Sequence, residues 1–371
     1  MAVFLSILLG ILLIYVILIL ILARGVHRLT PAGPPSPDPH LRVSLIVPFR
    51  NEREHLPALI HDLRAQSYPA ELTEILFVDD HSEDGSGEVL KELIGNLPQF
   101  HLIGLQPGIT GKKRALGLGI EHASGEWIIQ TDADCRLGDR FIGCHVSRRQ
   151  ETGADMLAGM VITGEAGKSL LEGLEILDQL SLTGAGAGSF YLGRPLLCSG
   201  ANLSFSPGLY RDTRIFDPDI QTASGDDMFL MIGARKLGRK LDYLKSEDAM
   251  VRTRPATSLR NLINQRIRWG AKAAYYHQAD IQGVVLLTVF ANLTTLVMPW
   301  LLLLFPQAWT WVVAGLSAKV GADFLLLWIT AGYAGQRRQL RLFLPVVLVY
   351  YPFQAVILLG SLFKRGNWKG R

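Results

Sequence analysis

The sequence predicts an α/β domain with a mostly parallel sheet and helices on both faces, set between membrane-spanning helices. Three observations carry this: an uncharged apolar run at the N-terminus, three further apolar stretches after residue 280, and between them short apolar strands that alternate with helical patterns and end in acidic residues.

Ala2 to Ala23 contains no charge and is dominated by Leu, Ile and Val. At about 1.5 Å per residue it spans a hydrocarbon core of roughly 30 Å. It lacks a basic leading region and a small-residue cleavage site, so an anchor is favoured over a signal peptide. Arg24, His27 and Arg28 follow at once, which places the next segment in the cytoplasm by the positive-inside rule. Pro31, Pro34, Pro35, Pro37 and Pro39 then form a stiff spacer.

Val43 to Val47 is a β-branched strand followed by Pro48, and a helix with Leu56, Leu59, Ile60 and Leu63 at helical spacing follows, with Asn51 as its expected cap. A second strand, Glu74 to Val78, ends in Asp79 and Asp80. A third runs near Phe100 to Leu105, and a helix starts after Gly111. The fourth, Trp127 to Thr131, ends in Asp132-Ala133-Asp134. Ligands in such sheets bind beyond the carboxyl ends of strands, where Asn51, Glu52, Asp79, Asp80, Asp132 and Asp134 gather. The segment Thr183 to Ser189, alternating Gly and Ala at its centre, reads as a flexible loop or a site of close backbone approach.

Three C-terminal spans are expected near 283–305, 309–333 and 342–363. Within the second, Lys319 and Asp323 are four apart and can pair while pointing into a helix bundle. Three spans after a cytoplasmic domain would leave the C-terminus outside, yet Lys364, Arg365, Lys369 and Arg371 make that tail basic. Either one segment lies in the interface or is re-entrant, with Pro345 and Pro352 marking the last as the candidate, or the charge rule fails here.

Charge separates along the chain. From Asp38 to Asp280, 27 Lys+Arg face 32 Asp+Glu, a balance of −5; the flanks hold ten Lys+Arg and one acid, a balance of +9. An acidic middle argues against nucleic-acid binding. Cys135, Cys144 and Cys198 are an odd set without CxxC spacing, which disfavours a disulfide framework and a structural zinc site. No G-x-G-x-x-G or Walker-type loop is present.

Asp132 and Asp134 place two hard oxygen donors where both can reach one Mg²⁺ or Mn²⁺. Asp79 and Asp80 sit at a strand end where a carboxylate can accept hydrogen bonds from a base or ribose, and Lys112 and Lys113 at a helix start can neutralise phosphates. From Val251 to Ala279 there is no acid, while Arg252, Arg254, Arg260, Arg266, Arg268 and Lys272 are basic, giving a basic amphipathic helix suited to an anionic leaflet.

Together these motifs resemble family 2 glycosyltransferases with the GT-A nucleotide-sugar fold, a group that includes cellulose synthase-like and ceramide glucosyltransferase-like enzymes. Ser44-Leu-Ile-Val-Pro48-Phe-Arg-Asn51-Glu52 resembles the opening motif, Val78-Asp79-Asp80-His-Ser-Glu-Asp-Gly85 the second, and Thr131-Asp132-Ala-Asp134 the metal motif. Ser224-Gly225-Asp226-Asp227 resembles the acidic pair with the catalytic base, and Gln265-Arg-Ile-Arg268-Trp269 the Q-x-x-R-W signature. This sequence has Gly225-Asp226-Asp227 where many relatives have Thr-Glu-Asp, keeping the base-position Asp.

The resemblance implies donor contacts from Pro48, Asn51, Glu52, Asp79, Asp80, Lys112, Lys113, Asp132, Gln265 and Arg268. It implies metal held by Asp132 and Asp134, the base Asp227 beside Asp226, and acceptor contacts from Trp269 and Asn202, although Asn202 equally reads as a turn residue. The implied organisation is an anchor at 1–24, a linker at 25–41, a GT-A domain at 42–250, the basic interface region at 251–280, spans at 281–363 and a basic tail at 364–371. The expected activity is inverting transfer from a nucleotide sugar, a UDP-sugar first, to a lipid or lipid-linked glycan at the cytoplasmic face of the inner or plasma membrane. A processive polysaccharide synthase is the alternative. An inactive scaffold or transporter, for which Lys319 and Asp323 speak, is disfavoured by retention of the metal pair, base and Trp together. Nothing in the sequence specifies an oligomeric state.

Overall fold

A computed structural model describes residues 2–35, 39–164, 169–213, 225–273 and 275–363. Pro37 of the spacer, Ser224 before the acidic pair and the basic tail at 364–371 lie outside the described residues. In chain order the first elements are α1 (Ala2–Arg28), β1 (Val43–Phe49), α2 (Leu56–Arg64), β2 (Thr73–Asp79), α3 (Ser86–Ile94), β3 (Phe100–Gly104), α4 (Lys112–His122), β4 (Trp127–Gln130), α5 (Phe141–Thr152), β5 (Met156–Gly159) and β6 (Val161–Thr163). They continue with α6 (Leu170–Tyr191), β7 (Leu203–Phe205), α7 (Pro207–Thr213), α8 (Asp226–Lys236), β8 (Leu241–Leu244), β9 (Val251–Thr253), α9 (Leu259–Ala273), α10 (Ala279–Leu304), α11 (Trp309–Tyr333) and α12 (Phe343–Phe363).

Two compact units result. The sheet unit is built from Leu29–Thr163 and Leu197–Arg254. Its seven strands run in the order β3-β2-β1-β4-β7-β5-β8, parallel except for β7, which lies antiparallel between β4 and β5. β6 and β9 form a separate parallel pair. Leu45, Val47 and Phe49 of β1 share one core with Leu56, Leu59, Ile60 and Leu63 of α2, and with Trp127 and Phe141. That burial, at about 25 cal/mol per Å² of apolar surface, is what fixes the sheet's register against its helices.

β1 runs two residues beyond the expected end and includes the buried Pro48. The Ile46 carbonyl faces β4, accepting from Thr131 N at 3.2 Å, so Pro48, two residues on, faces the same side. The β4 ladder stops at Ile46–Gln130, and the missing N–H of Pro48 therefore falls where no strand partner remains.

The helical unit comprises Met1–Arg28, Gly164–Leu196 and Pro255–Gly366. The Gly-Ala segment is helix, not loop: Gly184 to Gly188 lies inside α6. A Cβ on Gly188 would collide with the backbone of Leu22, and one on Gly25 with the backbone of Gly188, so α1 and α6 touch main chain to main chain. This is the close-approach alternative, and it moves residues 170–191 out of the sheet domain in which the sequence had placed them.

Among the described residues, four helical stretches are long and apolar enough to cross a bilayer: Val3–Arg28, Ala279–Leu304, Pro306–Tyr333 and Arg337–Phe363. α12 continues unbroken through Pro352. Lys319 is completely buried and donates to Asp323 Oδ2 at 2.7 Å, Asn292 Oδ1 at 3.0 Å and Tyr351 OH at 3.2 Å, while Tyr15 OH donates to Asp323 Oδ1 at 2.8 Å. One polar cluster thus ties α1, α10, α11 and α12, with the lysine–aspartate pair inside the bundle as expected.

Candidate active site

The ends of β1, β2 and β4 and the N-termini of α4 and α8 bring the acidic residues of the sheet unit to one edge. The loop after β1 turns at Asn51, whose φ of 52° is left-handed. Its side-chain oxygen accepts from Glu83 N at 2.8 Å, its N–H donates to Ser82 Oγ at 3.0 Å, and Glu52 N donates to Ser86 Oγ at 2.9 Å. These bonds lace the loop after β1 to the loop after β2. Asn51 therefore does not cap α2, whose N-cap is His55, with no side-chain bond to the helix's backbone N–H groups; Pro57 in the first turn favours the helix start instead.

Asp79 and Asp80 differ in place. Asp79 is half-buried and accepts from Ser82 N at 2.9 Å and Ser82 Oγ at 2.6 Å. Asp80 is fully buried and accepts from Gly111 N at 3.0 Å, which pins the residue before α4. Lys113 is buried, whereas Lys112 Nζ pairs with Asp132 Oδ1. Burial opposes the charge of Lys112, but Asp132, Asp226 and Asp227 outweigh it and hold its pKa above the ordinary lysine value. One ammonium therefore sits within the fields of three carboxylates from β4 and α8.

Burial pushes the Asp134 carboxyl up, and Asp132 and Glu52 push it further, with Lys112 and His55 opposing. His55 Nδ1 pairs with Glu52 Oε2. Asp226 is buried and accepts from Gln130 Nε2 at 3.0 Å. Asp227 Oδ2 accepts from Gly200 N at 2.9 Å and Oδ1 from Met228 N at 2.8 Å, which fixes the plane of the carboxylate. A Cβ on Gly200 would come within 2.7 Å of Gln130 Nε2, so this close approach needs glycine.

Asn202 stands elsewhere than the acceptor-facing position expected of it. It is completely buried, its Nδ2 donates to Met160 O and Ala249 O, both at 2.8 Å, and its Oδ1 lies 3.0 Å from His145 Nε2. Because Asn202 Oδ1 is an acceptor, the imidazole carries its proton on Nε2, and Nδ1 accepts from Ser204 Oγ at 2.8 Å. Burial pushes this histidine down to about 3. Gln265, Arg268 and Trp269 lie on α9 of the helical unit, with Trp269 37% exposed and the Arg266 guanidinium 4.3 Å from its ring centroid.

Beyond the expected site residues the structure adds His55, Gln130 and Gly200, and it places Arg266, expected only as one of the basic residues of an amphipathic helix, against Gln265 and Trp269. Gln130 carried a signal, being a polar residue at the end of an otherwise apolar strand. Gly200 carried none, since Asp227 and Gln130 are remote from it in sequence, and the pairing of Arg266 with Asp178 carried none for the same reason.

Asp132 and Asp134 fit a hard divalent cation: all donors are oxygens, and the Asp134 carboxyl is pushed up first by burial and then by the negative charge of Asp132 and Glu52, which a cation would offset. Among the described residues no group of three or more His, Cys, Asp or Glu is placed to hold a metal.

The fold is GT-A, a mostly parallel sheet with flanking helices. The profile described as glycosyl transferase family group 2 matches residues 127–360, and that of glycosyl transferase family 2 matches residues 44–177. The chain belongs to glycosyl transferase family group 2.

It is similar to "Glycosyltransferase AglE" of Haloferax volcanii, 29% identical over 119 residues, covering 32% of this chain and 39% of that protein. "Bactoprenol glucosyl transferase" of Shigella phage SfV is 30% identical over 118 residues, covering 32% of this chain and 38% of that protein. Little more than a third of each relative is therefore matched. The mannosyltransferase PcManGT from Pyrobaculum calidifontis, solved with GDP-Man and Mn²⁺, shares the fold over 98% of both chains with a TM-score of 0.60 at 17% identity.

Proposed function

We propose that this protein is a membrane-bound, metal-dependent glycosyltransferase that moves a sugar from a nucleoside diphosphate donor, a UDP-sugar first, to a lipid or lipid-linked glycan, with inversion. The observation that carries the reading is Lys112 gathered among Asp132, Asp226 and Asp227 at the carboxyl edge of the sheet. Such a set separates into a leaving-group side and a base side. The name of the phage relative supports a lipid acceptor.

In this reading Asp132 and Asp134 hold Mg²⁺ or Mn²⁺, which when bound supplies charge neutralisation for the departing diphosphate. Lys112 adds a fixed cation on the same side. Asp79 and the loop at Asn51 and Glu52 line the nucleoside end, and Asp80 acts through Gly111 by setting the start of α4. Asp227 takes the proton of the acceptor hydroxyl, with its carboxylate plane fixed by Gly200 N and Met228 N. Gln265 and Arg268 serve the diphosphate or acceptor end, and the indole of Trp269 offers a flat face to a sugar ring.

The catalytic domain is proposed to be cytoplasmic, from the basic residues that follow the first span. The C-terminal half of α12 packs on α9, where a Cβ on Gly360 would meet Ile267 and one on Gly270 would meet Ser361. This contact supports placing the end of α12 on the side of the basic α9. A re-entrant break at Pro352 has no support from the continuous helix.

The test is full-length protein in detergent with UDP-glucose, UDP-GlcNAc and GDP-mannose, offered diacylglycerol and undecaprenyl phosphate in mixed micelles and read by nucleoside diphosphate release and lipid mass spectrometry. Glycosylated lipid that disappears with EDTA is expected. Release of no nucleotide from any donor would contradict the reading, and a ladder of polymer sizes would favour the synthase alternative.

A further inference from the structure

The Q-x-x-R-W segment is held from within the helical unit by a buried ion pair that involves none of its signature residues. Asp178 on α6 is 4% exposed and Arg266 on α9 is 6% exposed, with Nε to Oδ2 at 2.5 Å. Two groups of α12, Tyr350 OH and Gln354 Nε2, each lie 3.4 Å from the other oxygen of Asp178. The guanidinium then reaches its own neighbours: Nη1 donates to Gln265 Oε1 at 2.8 Å, and its face lies over the Trp269 ring at 4.3 Å.

A buried ion pair is a poor device for stability alone, because the desolvation of both charges offsets most of their attraction. Apolar residues of the same size would pack α6 against α9 at least as well. Arg266 also has a buried Nη2 without a hydrogen-bond partner among the described residues, a further cost that a purely structural choice would avoid. What an arginine adds over an apolar residue or a lysine is a rigid plane with several donors, able to pair with a carboxylate, bond an amide and stack on an indole at once. All three uses are present here.

We propose that Asp178 and Arg266 are positioning residues for the acceptor side of the site. Asp178 fixes the guanidinium, and the guanidinium fixes the amide of Gln265 and covers one face of the Trp269 indole, leaving the opposite face for a sugar ring. This rests on the role given above to Gln265 and Trp269. It assigns a positioning role to a residue of α6.

The experiment uses the full chain in detergent and the variants Asp178→Asn, Arg266→Lys, Arg266→Met and Trp269→Phe. The emission that Trp269→Phe removes from the wild type isolates Trp269. In Asp178→Asn and Arg266→Lys that component should shift to longer wavelength and become more accessible to acrylamide. With diacylglycerol and undecaprenyl phosphate as probes, the acceptor KM should rise about tenfold in both variants while the donor KM stays near wild type. Arg266→Lys keeps a charge for Asp178 and so guards against simple unfolding, and Asp178→Asn combined with Arg266→Met should be no worse than Arg266→Met alone.

An unchanged Trp269 component in a folded Asp178→Asn or Arg266→Lys protein would overturn the proposal. So would an acceptor KM that Trp269→Phe raises and these two leave alone. If Trp269→Phe itself leaves transfer untouched, the acceptor role of the signature fails, and the fluorescence still decides whether the ion pair sets the indole.

Discussion

At the scale of single residues, the site depends on backbone donors that hold its carboxylates. Asp227 is bonded by Gly200 N, and Gly200 has no room for a Cβ beside Gln130, which in turn bonds Asp226. Gly200→Ala should therefore displace both carboxylates and lower transfer by about a hundredfold, measured as turnover, with thermal stability reduced far less. His145 gives a pH prediction. Its folded pKa, about 3, lies below the ordinary 6.5, so the unfolded chain binds the extra proton between those values. The stability it contributes is complete above pH 6.5 and falls as the pH drops towards 3. His145→Gln should start less stable and show a flatter thermal midpoint across that window.

At the scale of elements, the first four strands and the spans were legible, while β5 to β9 and α6 were not. β1, β2, β3 and β4 announced themselves as apolar runs bounded by Gly, Pro or Asp, and the span-length helices by unbroken hydropathy. α6 is a helix whose Gly-Ala stretch serves contact with α1, and glycine signals a turn unless the partner backbone is known. For the same reason Asn51 was taken for a cap: its true partners, Ser82 and Glu83, lie on another loop. The metal-motif aspartates could be read because two residues of separation after a strand is a local feature, while Asn202 could not be placed because its partners, Met160, Ala249 and His145, are remote from it in sequence. The Lys319–Asp323 pair gives a prediction at this level. Lys319→Met leaves Asp323 inside the bundle and should destabilise it by about 2 kcal/mol or more, read by thermal unfolding in detergent. Lys319→Met with Asp323→Leu should recover most of that loss.

For the whole molecule, the split of charge corresponds to two parts with different surroundings. Part of the acidic excess of the sheet unit is Asp79, Asp132, Asp134, Asp226 and Asp227 at the strand ends and the start of α8, and the basic residues of the flanks adjoin the span-length helices in sequence. A reporter fused after residue 371 should locate in the cytoplasm if the end of α12 lies on the side of α9, and a periplasmic or external reporter would restore a plain crossing. The central claim, base-assisted transfer at an acidic metal site, is tested most directly by Asp227→Asn, with donor affinity measured by titration of the UDP-sugar and turnover measured on a hydroxyl acceptor. Unchanged donor affinity with turnover lowered by a factor of about a hundred or more is expected; a variant that binds the donor and turns over at the wild-type rate would exclude Asp227 as the base.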